Sequence, residues 1–255
     1  MAAFDPDARD RLRAELLAAA RHDGRISSAA ITGSASLDRA DRWSDIDLAF
    51  GIANAARRDK VLADWTAVMY RLHGAVHHVD MKSGHTVYRV FLLRDTQQVD
   101  IAFAPAAEFA ARGPTFRWVF GTSAPGERPW PPADAQELIG MGWLHALHAR
   151  ACLQRGQLWR AEHMVSGVRD YALMLACLRH GLETAHARGV DLLPEFLQAY
   201  FAGALVREMT TEEIARAFRV AVQGLLAEIG SADADLGERL ADTVAQLAGD
   251  VPGQM

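Results

Sequence analysis

The stretch GTSAPGERPWPP, residues 121–132, packs four prolines and two glycines into twelve positions. Proline fixes φ and removes an N–H donor, and glycine has the most backbone freedom to lose on ordering, so neither helix nor strand continues through such a segment. The chain of 255 residues therefore reads as two bodies, 1–120 and 133–255, joined by a Pro/Gly-rich linker over 121–132. Half of the residues are hydrophobic and 23% are charged, so each body has the apolar side chains for a core of its own. A membrane-spanning reading fails on length. The longest apolar runs, such as 196–206, fall short of the roughly 20 residues a bilayer requires, and 168–178 is broken by Arg169 and Asp170. Near the start, Asp5, Asp7, Arg9, Asp10, Arg11 and Arg13 interrupt what would have to be the apolar region of a signal peptide, so a cytoplasmic location is expected.

The two bodies differ in period. In the first, residues 7–20 place Leu12, Leu16 and Ala19 on one helical face, a packing helix, and 25–32 form a short strand that stops at Gly33. Residues 34–41 are turn-rich. Over 44–50, Asp45, Asp47 and Ala49 alternate with Ile46, Leu48 and Phe50, because successive side chains on a strand face opposite sides. Residues 57–72 carry Val61, Leu62, Trp65, Val68, Met69 and Leu72 at helical spacing, closed by Gly74. Three more strands are expected at 76–81, 86–93 and 98–104. Beyond the linker everything reads helical, at 134–155, 158–180, 194–205, 211–229 and 233–247, with a capping-box pattern in Thr210 and Glu213. The expected fold class is α+β, a mixed sheet followed by an all-α bundle.

Chemistry concentrates in ITGSASLDRADRWSDIDLAF, residues 31–50. Gly33 and Ser34 lie between a strand and a helix-like turn, where backbone N–H groups and a serine hydroxyl can face an anion. Asp45 and Asp47 follow ten residues later on one strand face, with apolar residues on the other. Two carboxylates held side by side repel, and a magnesium ion between them relieves that cost while receiving the oxygen ligands it prefers. Asp100 sits on a further strand between Val99 and Ile101, which point away from it, and a neighbouring strand would bring it to the same edge. Three carboxylates with two divalent ions roughly 3.5–4 Å apart can orient a nucleoside triphosphate, screen its charge and lower the pKa of an attacking hydroxyl.

A Gly-Ser pair, ten residues, Asp-x-Asp and a third aspartate about fifty residues later resemble the nucleotidyltransferase superfamily related to polymerase beta. A small catalytic domain followed by a helical bundle is most similar to the aminoglycoside nucleotidyltransferase-like proteins. The resemblance covers roughly residues 31–104 and implies several roles. Asp45 and Asp47 would ligate magnesium and the triphosphate, and Asp100 would be the third ligand and the candidate base. Gly33 and Ser34 would hold the β and γ phosphates, and Ser44 a further phosphate contact. Where some members carry an arginine three positions after the serine of the Gly-Ser pair, this chain has Leu37; Arg39 and Arg42 lie nearby, and Arg39 is the expected substitute. The implied activity is transfer of a nucleoside monophosphate from a nucleoside triphosphate, ATP first among candidates, to a hydroxyl of a small molecule such as an aminoglycoside-type antibiotic. Two Mg2+ ions would serve as cofactor, with the helical bundle contributing to the acceptor site. Some relatives build that site from two subunits, so a homodimer is among the expectations.

The remaining features qualify this reading. Net charge is −5 and pI about 6.0, so no overall positive field recruits nucleic acid, and an RNA end is the least favoured acceptor. The only lysines are Lys60 and Lys82; arginines, which bind phosphate bidentately, suit a small anionic ligand. On 158–180, Glu162, Ser166 and Arg169 form a polar stripe, either a solvated face or, through Glu162, part of the acceptor site. His145 and His148 have helical metal-ligand spacing but no third ligand, and His77 and His78 point to opposite strand faces. Trp118, Trp130, Trp143 and Trp159 suggest aromatic packing. Cys152 and Cys177 make no CxxC and are expected as buried free thiols. Three rivals stand: a protein-modifying nucleotidyltransferase, a degenerate nucleotide-binding regulatory module, and a HEPN-type ribonuclease. The last would rest on Arg179 and His186, an R-x6-H spacing interrupted by Gly181.

Overall fold

A computed structural model describes residues 5–126, 129 and 131–249. The chain divides into two compact units, Met1–Pro131 and Pro132–Met255. Trp130 and part of the Pro/Gly-rich stretch lie outside the described residues.

The first unit is a mixed sheet of six strands with two helices. Its elements run α1 (Pro6–His22), β1 (Ile26–Thr32), β2 (Ile46–Ile52), α2 (Arg58–Leu72), β3 (Ala75–Ser83), β4 (Thr86–Leu93), β5 (Gln98–Pro105) and β6 (Phe116–Phe120). The strands are ordered β3-β4-β5-β2-β1-β6, and every pairing is antiparallel except β2 with β5. Strand β6, which closes the β1 edge, has no alternating pattern strong enough to announce it; Phe116 and Trp118 are recruited by β1 and by Phe109.

The two faces of this sheet are chemically distinct. One carries Ile46, Leu48, Phe50, Ile52, Val99, Ile101 and Phe103, packed with Leu16 and Ala20 of α1 and Val61, Leu62, Trp65 and Met69 of α2. Phe50 sits 4.9 Å from Trp65 and 5.8 Å from Phe103, ring centre to ring centre. The other face is floored by Ala30, Ala49, Ala102 and Ala104, with Phe109 over them. Small residues leave room on that face, and it is the one from which the Asp side chains of β2 and β5 project.

The second unit is all-α, formed by α3 (Ala135–Gln154), α4 (Leu158–Arg179), α5 (Glu195–Ala202), α6 (Thr211–Ala232) and α7 (Ala234–Gly249). Its core joins Leu138, Ala146, Ala149, Val165, Val168, Leu175, Phe218, Val222, Leu225 and Val244. Asp134 caps α3 by accepting from the Gln136 N–H. At α6 the capping box forms by half. Thr210 Oγ1 accepts from the Glu213 N–H at 3.2 Å, whereas the Glu213 carboxylate turns to the Arg207 N–H and to the Arg216 guanidinium. Both cysteines are buried and unpaired. No helix among the described residues is long and apolar enough to cross a membrane.

Candidate functional site

The site is built where β2 and β5 run parallel. Their register sets Asp47 opposite Asp100, with Ile46 opposite Val99 and Leu48 opposite Ile101 below the sheet. In-register neighbours on adjacent strands project from the same face, so both carboxylates rise together above the alanine floor. Residue 45 precedes the strand, which begins at Ile46 rather than at residue 44 as the alternation suggested, and Gln98 Nε2 donates to Asp45 Oδ2 at 3.0 Å.

Asp100 is the unsatisfied acid of this neighbourhood. Its Oδ1 is buried and has no hydrogen-bond partner. Burial first, and the negative charge of Asp45 second, push its carboxyl up to about 7. A buried acid oxygen with nothing to donate to it, beside a second carboxylate, is the environment that a divalent cation neutralises. Among the described residues the side chains do not converge into a ready cage of three or more His, Cys, Asp or Glu groups.

Gly33 completes the floor. Its φ of 63° and ψ of −156° are glycine conformations, and a Cβ there would overlap Oδ2 of Asp47. The backbone thus passes against the carboxylate with nothing between, and Ser34–Leu37 follow as one tight 3-10 turn. Ser34 Oγ donates to Ser44 Oγ at 3.1 Å; Ser44 in turn donates to Asp41 Oδ1 and accepts from the Asp41 N–H. The Trp43 N–H, then the Ser44 hydroxyl, hold the Asp41 carboxyl below its ordinary range. Gly33, Ser34, Ser44, Asp45, Asp47 and Asp100 therefore form one neighbourhood.

Arg39 borders this neighbourhood through its backbone, its N–H donating to the Ser34 carbonyl at 3.0 Å. Arg39 is exposed, on the loop that leaves the 3-10 turn. Glu162 belongs to α4 of the second unit, where its Oε1 accepts from Ser166 at 2.7 Å, while Arg169 pairs with Asp170 instead of joining the stripe. Arg179 and His186 do not share a helix: α4 ends at Arg179, whose guanidinium is taken by Glu228, and His186 lies in a later turn at φ 55°. His145 gives Nδ1 to the Met141 carbonyl, which removes that nitrogen from any pairing with His148.

Two contributors escaped the sequence reading. Gln98 precedes Asp100 by two positions as Asp45 precedes Asp47, a symmetry legible only once the parallel register is known. Arg9 lies in α1, where spacing reports only which face packs.

No family model matches the chain, and no curated protein sequence matches it. Among solved structures it is similar to an aminoglycoside 6-adenyltransferase from Bacillus subtilis, with 11% sequence identity and a TM-score of 0.38, over 91% of this chain and 95% of that one.

Proposed function

We propose that the protein is a magnesium-dependent nucleotidyltransferase that moves a nucleoside monophosphate from a nucleoside triphosphate, ATP first among candidates, to a hydroxyl of a small-molecule acceptor. The observation that carries this reading is the in-register pair Asp47 and Asp100, with the buried, unpartnered Oδ1 of Asp100 and Gly33 packed onto Asp47.

Asp45, Asp47 and Asp100 would hold the metal, which when bound screens the triphosphate and polarises the reacting phosphate. The residues of the chain do the rest. Gly33 lets the backbone approach without a side chain, and Ser34 and Ser44 offer hydroxyls for phosphate oxygens. Gln98 keeps Asp45 beside Asp100 before any ligand arrives. In the transfer the acceptor oxygen forms a bond to the α-phosphorus, the bond from that phosphorus to the bridging oxygen breaks, and pyrophosphate leaves with the bond electrons. The acceptor proton goes to the Asp100 carboxylate. Positioning and charge neutralisation supply most of the rate in such reactions. An aminoglycoside-type acceptor is the first class to try, because a cation suits an acidic protein of net charge −5. In this reading Glu162 would bind an amino or hydroxyl group of that acceptor.

The test is pyrophosphate release with magnesium, each of the four common nucleoside triphosphates, and a panel of aminoglycosides, lincosamides and bulk protein, comparing wild type with Asp45→Asn/Asp47→Asn. Acceptor-dependent release that vanishes in the variant supports the transferase, and the acceptor that works separates small-molecule from protein modification. Magnesium-dependent triphosphate binding with no release would favour the regulatory module. Absence of triphosphate binding would sink the metal-site assignment.

A further inference from the structure

We infer that Arg9 of α1 is a positioning residue that clamps the loop over residues 38–45 and so fixes Ser44 and Asp45 for the triphosphate; the inference rests on the nucleotidyltransferase reading. Arg9 is 4% exposed, whereas Asp7, Asp10, Arg11 and Glu15 of the same helix face water. Its Nη1 donates to two carbonyls of the same loop, those of Asp41 and Ser44, the latter at 3.3 Å. Its Nε donates to Asp10 Oδ1 at 3.0 Å, which fixes the guanidinium from the helix side. Burying an arginine costs desolvation that a packing helix need not incur, since an apolar residue would fill the same space.

What the loop gains is rigidity at the point where chemistry needs it. Between Asp38, left-handed at φ 55°, and β2, the loop has no ladder of its own. Its internal bonds, from the Asp41 carboxylate to the Trp43 N–H and the Ser44 hydroxyl, make a closed turn but do not tie that turn to the fold. The ends of the loop are tied by Arg117 to Asp38, by the Arg39 N–H to the Ser34 carbonyl and by Gln98 to Asp45; in its middle, besides the Ser34–Ser44 hydroxyl bond, Arg9 is the tie to α1. A connection then runs from Arg9 through the Ser44 carbonyl to its hydroxyl, on to Ser34, and to Gly33 against Asp47. Loss of the guanidinium would free two carbonyls at once and loosen the turn that carries Ser44 and leads into Asp45.

The experiment compares wild type, Arg9→Met and Arg9→Lys by amide hydrogen exchange and by magnesium-dependent affinity for ATP and for inorganic tripolyphosphate. Methionine keeps the apolar stem but no donor; lysine keeps a cation that still reaches a carbonyl. For Arg9→Met the expected results are exchange at residues 41–45 faster by about tenfold or more, with α1 amides unchanged, and tripolyphosphate and ATP affinities weakened together by about tenfold, the scale of one hydrogen bond to a charged group. Arg9→Lys should recover part of both. Equal loosening of α1 and the loop would overturn the inference in favour of plain helix packing, as would unchanged triphosphate affinity in Arg9→Met against normal binding by the wild type. A wild type that binds no triphosphate would overturn the nucleotide reading, and the clamp's purpose with it, while the exchange result would still report whether the clamp exists.

Discussion

Two buried acids, one in each unit, are handled in opposite ways. In the helical unit, Glu228 is 4% exposed and meets the Arg179 guanidinium with both oxygens, Nε to Oε2 and Nη2 to Oε1, each at 2.9 Å. Glu213, also paired with an arginine, is held down to about 2, by Arg216 first. In the sheet unit Asp100 has a buried oxygen with no donor and the charge of Asp45 beside it. A bidentate pair satisfies both ions and makes structure. An acid left unsatisfied costs stability and persists where a ligand supplies what the fold withholds. The lesson is that the unit with the less satisfied interior is the one to search for function.

The sharpest way to break this comparison is a pair of substitutions, one per unit. Asp47→Asn should lower turnover by about a thousandfold or more, the scale of removing a group that neutralises transition-state charge, with no loss of melting temperature. Phe218→Ala, in the helical core, should cost about 3–5 kcal/mol in denaturant unfolding and leave the triphosphate affinity of the folded protein unchanged. Reversal of either pattern would mean that the division of labour is wrong.

Next comes Asp100→Asn. A carboxyl raised in the folded state favours that state while protonated, so its contribution is present below the ordinary carboxylate range and is lost as pH rises through about 7. The variant should therefore match wild type near pH 4 and exceed it at pH 8, by up to about 4 kcal/mol if the whole shift is expressed. Melting curves across that range decide the matter, and a gap that fails to widen with pH would show that Asp100 is already satisfied. Magnesium should narrow the gap by stabilising wild type alone.

Gly33→Ala should weaken magnesium-dependent triphosphate binding by about a hundredfold, because the new Cβ displaces Asp47 and the left-handed φ disfavours any side chain. Titration with the non-reacting tripolyphosphate reads this directly. The smallest effect belongs to the helical unit: Thr210→Ala removes the α6 cap and should cost about 1 kcal/mol, with no change in any binding constant.

Much of this was legible before the structure. The alternation of Asp45, Asp47 and Ala49 with Ile46, Leu48 and Phe50 identified both the strand and its two faces, because a strand between a helical layer and an open face must alternate. The long helices were legible from period and caps, Ala135–Gln154 and Leu158–Arg179 falling within a residue of their expected ends. Contacts that depend on register or on a long side chain were not. Nothing in the local sequence says that Gln98 lies next to Asp45, that β6 joins β1, or that Arg9 reaches two carbonyls more than thirty positions away. Those facts belong to the fold, and amphipathic spacing is blind to them.

The single parallel pairing has a consequence for the order in which the protein acquires its chemistry. Asp47 and Asp100 meet only when β5 docks beside β2, and parallel neighbours require a crossover, here carrying α2 and the β3–β4 hairpin. Such long-range contacts form late, after local helices and hairpins have reduced the entropy of closing the loop. A nascent chain therefore displays Asp45 and Asp47 for some time as two ordinary solvated acids. The Asp47–Asp100 pair appears only with the finished sheet, so an incompletely folded molecule lacks the carboxylate cluster on which the proposed chemistry depends.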